Sequence, residues 1–293
     1  MARFQTIRLF TTASLVLSAV LLFGIRDSRE SQAGTPQNTP DLVLVRASVT
    51  DPLNRYVADL EQKDFKLQED KSVQNITYFA SKSAPISLGI IYENTGKIEL
   101  IRTAIKQWLQ PQSQLDDLFL ISFSGWTARV ENFTGQGSTV ADKPAFAKVA
   151  YSTPLEEAVH LGVQRMEKQT SPKKALVVIS EATHTLTFFA PWLGKNPAVQ
   201  VYAIGRTGRL FAGPESVVTT TAGNLYQVDD MVQVDYYLNL IHSELQNQYV
   251  LGYVPSNRKH DGNWRKLLIA VNPRSGLAKL TVKAPKGYYA PEK

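Results

Sequence analysis

The stretch Ile86-Ser-Leu-Gly-Ile-Ile-Tyr-Glu-Asn-Thr-Gly-Lys97 decides the fold of this chain. An uncharged, mostly apolar run over 86–92 ends at the acidic Glu93, and small polar residues then lead into a helical pattern. Runs that are apolar on both faces are typical of parallel strands buried inside a sheet. In open α/β folds, ligands bind where such strands end. The stretch therefore predicts that Glu93, Thr95 and Lys97 lie at the ligand-binding edge of a sheet.

The same strand–helix alternation continues to about residue 248. Further uncharged, mainly apolar runs that fit buried strands lie at 118–123, 175–179 and 199–204. Apolar residues recur every three or four positions, as in amphipathic helices, over 98–108, 155–166 and 234–245. Alternating β and α units with right-handed crossovers predict a doubly wound, mostly parallel sheet over 85–248.

Period-two alternation governs the chain on both sides of this α/β region. Residues 41–80 predict a small N-terminal β unit, with the odd-numbered residues from Val43 to Val49 on one face. The patterns at 249–254, 267–271 and 280–282 predict a three-stranded terminal sheet. Each unit leaves an apolar face uncovered. We therefore expect 41–80 and 249–290 to pack together as a composite β subdomain.

The N-terminus has the layout of an export signal. Arg3 and Arg8 precede an uncharged stretch over 9–25, and a small-x-small cleavage site follows at 31–33. We predict that 1–33 is a secretory signal peptide and 34–40 a linker. The alternative is an uncleaved membrane anchor, although 9–25 as a helix spans roughly 25 Å against a hydrocarbon core of about 30 Å. Either way the protein is expected to be exported: periplasmic, secreted or associated with the cell envelope.

Composition excludes several kinds of chemistry. The chain has no cysteine, so it has no disulfide, zinc–thiolate site or thiol nucleophile. Its four histidines form no HExxH pattern, and it has no Gly-x-Ser-x-Gly elbow. The net charge is +6, and residues 256–293 hold nine Lys/Arg against two Asp/Glu. Because these charges are dispersed along strand-like alternations, we interpret them as solvated strand faces and expect no nucleic-acid partner.

Polar residues follow three predicted elements at the same edge of the sheet. Besides the loop after Glu93, these are Ser152 and Thr153 before a helix, and Ser180 with Glu181 after a strand. Carboxylates and hydroxyls that converge in this way make an oxygen-only site, which suits Mg²⁺ or Mn²⁺ better than soft metals.

Several motifs carry a resemblance to a known family. They are Asp64-Phe-Lys-Leu-Gln-Glu-Asp70, the stretch from His242 to Ser256, Gly262-Asn-Trp-Arg-Lys266 and the closing Gly287-Tyr-Tyr-Ala-Pro291. With them the chain resembles a von Willebrand factor A domain, and more narrowly the VWFA-related family of acidobacteria, over nearly all of residues 41–290. The resemblance implies a Rossmann-like fold and a role in protein binding or cell adhesion.

The resemblance also implies a metal-ion-dependent adhesion site, made in the family by Asp-x-Ser-x-Ser, a distant Thr and a distant Asp. Carried over by position, these ligands are Glu93, Thr95, Lys97, Thr153 and Glu181. Only Thr153 is unchanged, so the site is degenerate. The protonated ammonium of Lys97 has no free lone pair, so it cannot coordinate a metal ion. At ~5 Å and an effective dielectric near 20, it would repel a divalent cation by about 7 kcal/mol.

Three interpretations of Lys97 stay open. It is a solvated residue of the first helical turn; it replaces the cation by pairing with Glu93 and Glu181; or it swings away from a working Mg²⁺ or Mn²⁺ site. We predict a metal-free or weakly occupied site with no cofactor, in a non-enzymatic interaction module. Its protein or cell-envelope ligand would dock on the loops at 93–97, 152–154 and 181–192. The alternatives are a metal-dependent ligand-binding domain, a hydrolase that uses Glu93 and Glu181, and a structural subunit of an envelope assembly.

Overall fold

A computed structural model describes residues 41–81, 84–94, 98–109, 115–124, 127–134, 137–143, 154–180, 199–206, 217–272 and 279–292. These residues all belong to one compact unit, Ala33–Lys293. The strands are β1 Val43–Thr50, β2 Phe65–Glu69, β3 Ser72–Gln74, β4 Ile76–Ala80, β5 Ile86–Glu93, β6 Leu115–Ser124, β7 Thr127–Thr134, β8 Gly137–Lys143, β9 Lys173–Ser180, β10 Val199–Arg206, β11 Leu225–Val228, β12 Tyr249–Tyr253, β13 Trp264–Val271, β14 Thr281–Lys283 and β15 Gly287–Tyr289. The α-helices are α1 Ile98–Leu109, α2 Pro154–Glu167, α3 Val217–Thr220 and α4 Val234–Gln246.

The centre of the molecule is a sheet of seven described strands in the order β11-β10-β9-β5-β6-β7-β8. The five strands from β11 to β6 are parallel to one another. Helices α1 and α4 pack on one face of the sheet, and α2 and α3 pack on the other. The predicted fold class, a doubly wound and mostly parallel α/β sheet, is confirmed by this strand order.

The sheet is longer than the sequence patterns predict. Strands β7 and β8 form an antiparallel hairpin on β6, and β11 adds a short parallel strand at the other end. The hairpin strands lie at the edge of the sheet and contain few apolar residues, of which Ala128 and Val130 are buried. Because these two strands hold so few apolar residues, their apolar pattern is too sparse to indicate strands.

The two ends of the chain combine into a β sandwich. One sheet has the order β14-β1-β12-β4 and the other the order β15-β13-β2-β3. Their inner faces share one apolar core, which includes Val45, Leu67, Tyr249 and Leu251. The composite β subdomain is therefore present.

The predicted three-stranded terminal sheet is wrong. Strands β12 and β14 both pair with β1, whereas β13 lies in the opposite sheet beside β2. The terminal strands thus pair mainly with strands from the N-terminal unit, because the two sheets of the sandwich must bury their apolar faces against each other. Strand β15, which has no counterpart among the predicted strands, pairs with β13.

A buried carboxylate ties the sandwich to the α/β sheet. Glu244 on α4 is 2% exposed and accepts hydrogen bonds from Ser48 Oγ at 3.2 Å, Lys283 Nζ at 2.9 Å and Asn224 Nδ2 at 2.9 Å. Ser48 lies on β1 and Lys283 on β14. The carboxylate therefore joins both sandwich strands to a helix of the central sheet.

Candidate functional site

The strand order reverses at β5, and this reversal marks the candidate site. The chain passes from β5 through α1 to β6 on one side, and later returns to β9 on the other side. The crevice between the carboxyl ends of β5 and β9 is therefore the topological switch point, which is where open α/β sheets bind ligands. Glu93 is the last residue of β5 and Ser180 the last residue of β9.

A hydrogen bond spans this crevice. Ser180 Oγ donates to Glu93 Oε2 over 2.9 Å. Ser180 is fully buried, whereas Glu93 is half-buried. A bond from a buried hydroxyl to a carboxylate is charge-assisted, so it restricts the orientation of the Glu93 side chain.

The loop after β5 is also anchored on its other side. The backbone N–H of Asn94 donates to the carbonyl oxygen of Phe123, near the end of β6, over 2.7 Å. The strands beneath are fixed by burial, since Ile90, Ile91 and Tyr92 are fully buried. The backbone on either side of Glu93 is therefore held in place by burial and by this hydrogen bond.

Of the five ligand positions carried over from the family, the structure describes Glu93. Thr95, Lys97, Thr153 and Glu181 lie outside the described residues, as do Ser152 and the rest of the predicted docking loops at 95–97, 152–153 and 181–192. The described elements show where two of these loops meet the regular structure. Helix α2 starts at Pro154, directly after Thr153, and Glu181 directly follows Ser180.

The described donors offer a partial set for a divalent cation. One carboxylate, from Glu93, meets one hydroxyl, from Ser180, and both are oxygen donors of the kind that Mg²⁺ and Mn²⁺ accept. Within the described ranges, no three His, Asp or Glu side chains come together as a metal-binding group. The remaining predicted donors lie outside those ranges, so Glu93 and Ser180 are the described residues that would hold an ion.

Sequence reasoning underestimated two features of this edge. The sequence pattern predicts that Ser180 follows the end of a strand, whereas Ser180 is the last, buried residue of β9. Beside the edge, Val232, Tyr236 and Leu240 are exposed by 62%, 58% and 38%. Val232 lies in the turn before α4, and Tyr236 and Leu240 lie on the face of α4 opposite the predicted core stripe. The spacing of four residues is the sequence signal for this exposed row.

Comparisons with known proteins give likenesses of structure. No protein-family model matches this chain, and no curated protein matches it. The chain is similar to a von Willebrand factor type A protein from Catenulispora acidiphila, with 11% identity over 88% of this chain and 75% of that chain, and a TM-score of 0.37. It is also similar to an aerotolerance-related membrane protein from Bacteroides fragilis, with 11% identity over 55% of this chain and 98% of that chain, and a TM-score of 0.36.

A third likeness is to the human COPII-coat protein Sec24c, with 9% identity, 70% of this chain covered and a TM-score of 0.40. This chain spans 44% of the Sec24c chain. Identities and TM-scores are low in all three cases, so the fold class rests on the strand order described above.

No helix within the described residues is long and apolar enough to cross a membrane. The apolar stretch at 9–25 lies outside those residues.

Proposed function

We propose that this chain is an exported, non-enzymatic interaction module of the von Willebrand factor A type. It binds a protein or cell-envelope ligand at the carboxyl edge of its sheet. The observation that carries the proposal is the hydrogen bond between Ser180 and Glu93, because it holds a carboxylate at the switch point of a doubly wound sheet. A rigid polar edge of this kind can orient a ligand without performing chemistry on it.

The surface beside this edge supports a protein ligand. Val232 and Tyr236 are largely exposed near the start of α4, and Leu100 is 38% exposed near the start of α1. Both helices follow parallel strands, so they begin at the carboxyl edge of the sheet. Protein-binding surfaces combine exposed apolar and aromatic side chains with a polar rim.

Lys97 is proposed to replace the metal ion of the family. Its ammonium would pair with Glu93 and Glu181 and would receive an acidic group of the ligand through a charge-assisted hydrogen bond. In this proposal the site works without a cofactor.

Quantitative affinity capture tests this function. The full chain, a Lys97→Glu variant and a Lys168→Glu variant are each used as bait on envelope extract from the cells that make the protein. Lys168 is exposed, follows α2 at the opposite edge of the sheet and serves as a charge-matched control. We expect the full chain to capture a small set of proteins. Their recovery should fall at least about tenfold on Lys97→Glu, which corresponds to about 1.4 kcal/mol, and should be unchanged on Lys168→Glu. Equal recovery on all three baits would contradict the proposal.

A metal-dependent version of the same function is the second candidate, since Glu93 and Ser180 are both oxygen donors. A bound ion stabilises the folded state by about 2.7 kcal/mol at a hundredfold excess over its Kd. Thermal unfolding with and without millimolar Mg²⁺ or Mn²⁺ separates the two versions. Stabilisation that Glu93→Gln abolishes would favour the metal, whereas an unchanged Tm favours the lysine.

A further inference from the structure

A second candidate site lies on the β sandwich, in a groove that we call the β15 groove. Its volume is about 370 Å³, and its walls come from three segments: 41–44, 255–260 and 288–291. The walls include apolar side chains of Leu42, Pro255 and Pro291. The groove belongs to a different subdomain from the Glu93 edge, so it stands independently of the proposed function.

One wall of the groove is a loop held in a fixed shape. Arg265, which is 4% exposed, donates from one terminal nitrogen to the carbonyl oxygen of Lys259 at 3.1 Å and to Asp261 Oδ1 at 2.7 Å. Ser256 N donates to Gln74 Oε1 at 3.0 Å, and Gln74 Nε2 donates back to Ser256 Oγ at 2.9 Å. Both ends of the loop are therefore fastened to the sandwich, so its side chains are presented without a large cost of ordering.

The floor of the groove is fixed as well. Tyr288 Oη donates to the buried carboxylate of Glu69, at Oε2, over 2.8 Å. Burial is the main cause that raises the pKa of Tyr288, so this phenol stays protonated and keeps donating. The Tyr288 side chain, which is 4% exposed, is thus held in the core of the sandwich beneath the groove that this residue helps to line.

The rim of the groove is cationic. Arg258, Lys259 and His260 are consecutive and exposed. His260 Nε2 lies 2.9 Å from Asp41 Oδ1, but neither Arg258 nor Lys259 has an ion-pair partner in the part of the chain that the structure describes. Residues 34–40, which run into Asp41, carry no charge, so they do not supply an anion. Within the described residues, these two positive charges have no ion-pair partner.

The position of β15 indicates which kind of anion fits. β15 is the terminal strand of its sheet, so one of its edges has no strand partner among the described residues. Such an edge can hydrogen-bond an extended peptide as an added strand. We propose that the β15 groove binds an extended, acidic polypeptide segment, with its carboxylates on Arg258 and Lys259 and its apolar side chains against Leu42, Pro255 and Pro291.

Fluorescence anisotropy with defined probes tests this proposal on the full chain. The probe is a fluorescein-labelled peptide that alternates glutamate with valine. A peptide with glutamine in place of glutamate keeps the backbone but lacks the charge, and labelled heparin keeps the charge but lacks the peptide. The variants are Arg258→Ser with Lys259→Ser, and the matched pair Lys66→Ser with Lys168→Ser. All four side chains are exposed, so neither double variant disturbs the core.

We expect saturable binding of the acidic peptide that weakens at least about tenfold in the Arg258/Lys259 variant and less than about twofold in the matched pair. The glutamine peptide should bind at least about tenfold more weakly than the acidic one. Equal losses in both double variants would overturn the proposal, because they indicate general charge attraction. Heparin binding as tight as the peptide, or no saturable peptide binding, would also overturn it.

Discussion

Ser180 Oγ and Glu93 Oε2 are joined across the switch point of the sheet by a hydrogen bond of 2.9 Å. The two residues end neighbouring parallel strands, β9 and β5, and are 87 positions apart in sequence. The loops that carry Thr95, Lys97 and Glu181 leave the sheet from these two points. The bond thus fixes the spacing of the strand ends on which the proposed ligand site is built.

Ser180→Ala should lower the free energy of unfolding by about 1.5–3 kcal/mol, because hydrogen bonds to charged groups contribute about that much. The matched control is Ser87→Ala. Ser87 is also buried, but its Oγ donates to the neutral Ser171 Oγ at 2.9 Å near the amino end of β5, so a loss of about 1 kcal/mol is expected. Urea unfolding of the full chain measures both. A Ser180→Ala effect no larger than that of Ser87→Ala would mean that Glu93 gains little from the bond.

Glu244→Gln should destabilise the protein by about 1–3 kcal/mol, since it removes the buried charge that the half-buried Lys283 contacts. Combining it with Lys283→Met should recover part of this loss, because the second change removes the unpaired cation. A double-mutant cycle by urea unfolding should therefore give a coupling of about 1 kcal/mol or more.

The surface pair of the exposed Glu99 and the half-buried Arg102, with 3.8 Å between their charged atoms, is the control for this cycle. Glu99→Gln should change stability by less than about 1 kcal/mol. Strict additivity of Glu244→Gln and Lys283→Met would show that Glu244 and Lys283 do not act as a pair.

Lys173 should make the free energy of unfolding depend on pH above neutrality. It is fully buried, and its Nζ donates to the carbonyl oxygen of Gln246, the last residue of α4, at 3.2 Å. Burial lowers its pKa from 10.5 to about 7. Between these two values the unfolded chain holds a proton that the folded chain has released, so stability rises with pH over this window, with a slope approaching about 1.4 kcal/mol per pH unit.

Lys173→Met keeps the length of the side chain and removes the charge. It should reduce this slope and should raise stability most at the lower end of the window. The pKa of the neighbouring Lys174 is also lowered, mainly by burial. In Lys173→Met the stability should therefore still rise with pH, but less steeply than in the wild type. Denaturant unfolding at several pH values measures the effect. An unchanged slope in Lys173→Met would contradict the buried, neutral state of Lys173.

His242 should make the fold sensitive to acid. It is buried on α4, its ring meets the Trp108 ring edge-on at 5.7 Å, and its Nε2 has no hydrogen-bond partner among the described residues. Burial lowers its pKa below 6.5. The unfolded chain therefore takes up a proton first as the pH falls through 6.5, and stability is lost below that value.

His242→Leu should reduce the drop in Tm between about pH 7.5 and about pH 5, because a neutral apolar side chain has no proton to bind. His260→Ala is the control, since His260 is exposed and lies beside Asp41. His160, whose pKa burial also lowers, leaves part of the acid sensitivity in both variants. An equal drop in His242→Leu and the wild type would assign the acid sensitivity to other groups.

The sequence patterns predicted the strands and helices best where an element is buried in the core, as the central strands are on both faces of the sheet. The runs around 86–92, 175–179 and 199–204 are strands, and the stripes in α1, α2 and α4 face the sheet. The patterns were least informative for elements that are only partly buried and for contacts between residues that are far apart in the sequence. The hairpin β7–β8 contains few apolar residues, and the exposed row of Val232, Tyr236 and Leu240 stands outside the core pattern.

The sequence alone determined the strand–helix order, the position of Glu93 at the end of β5, and the β character of both ends of the chain, because apolar periodicity is a local property that burial imposes on each element. Only the tertiary structure decided that Ser180 contacts Glu93, that the terminal strands divide between two sheets, and that Arg258 and Lys259 border a groove with Asp41. These relationships join residues far apart along the chain, and they depend on which strands pair and which faces pack together.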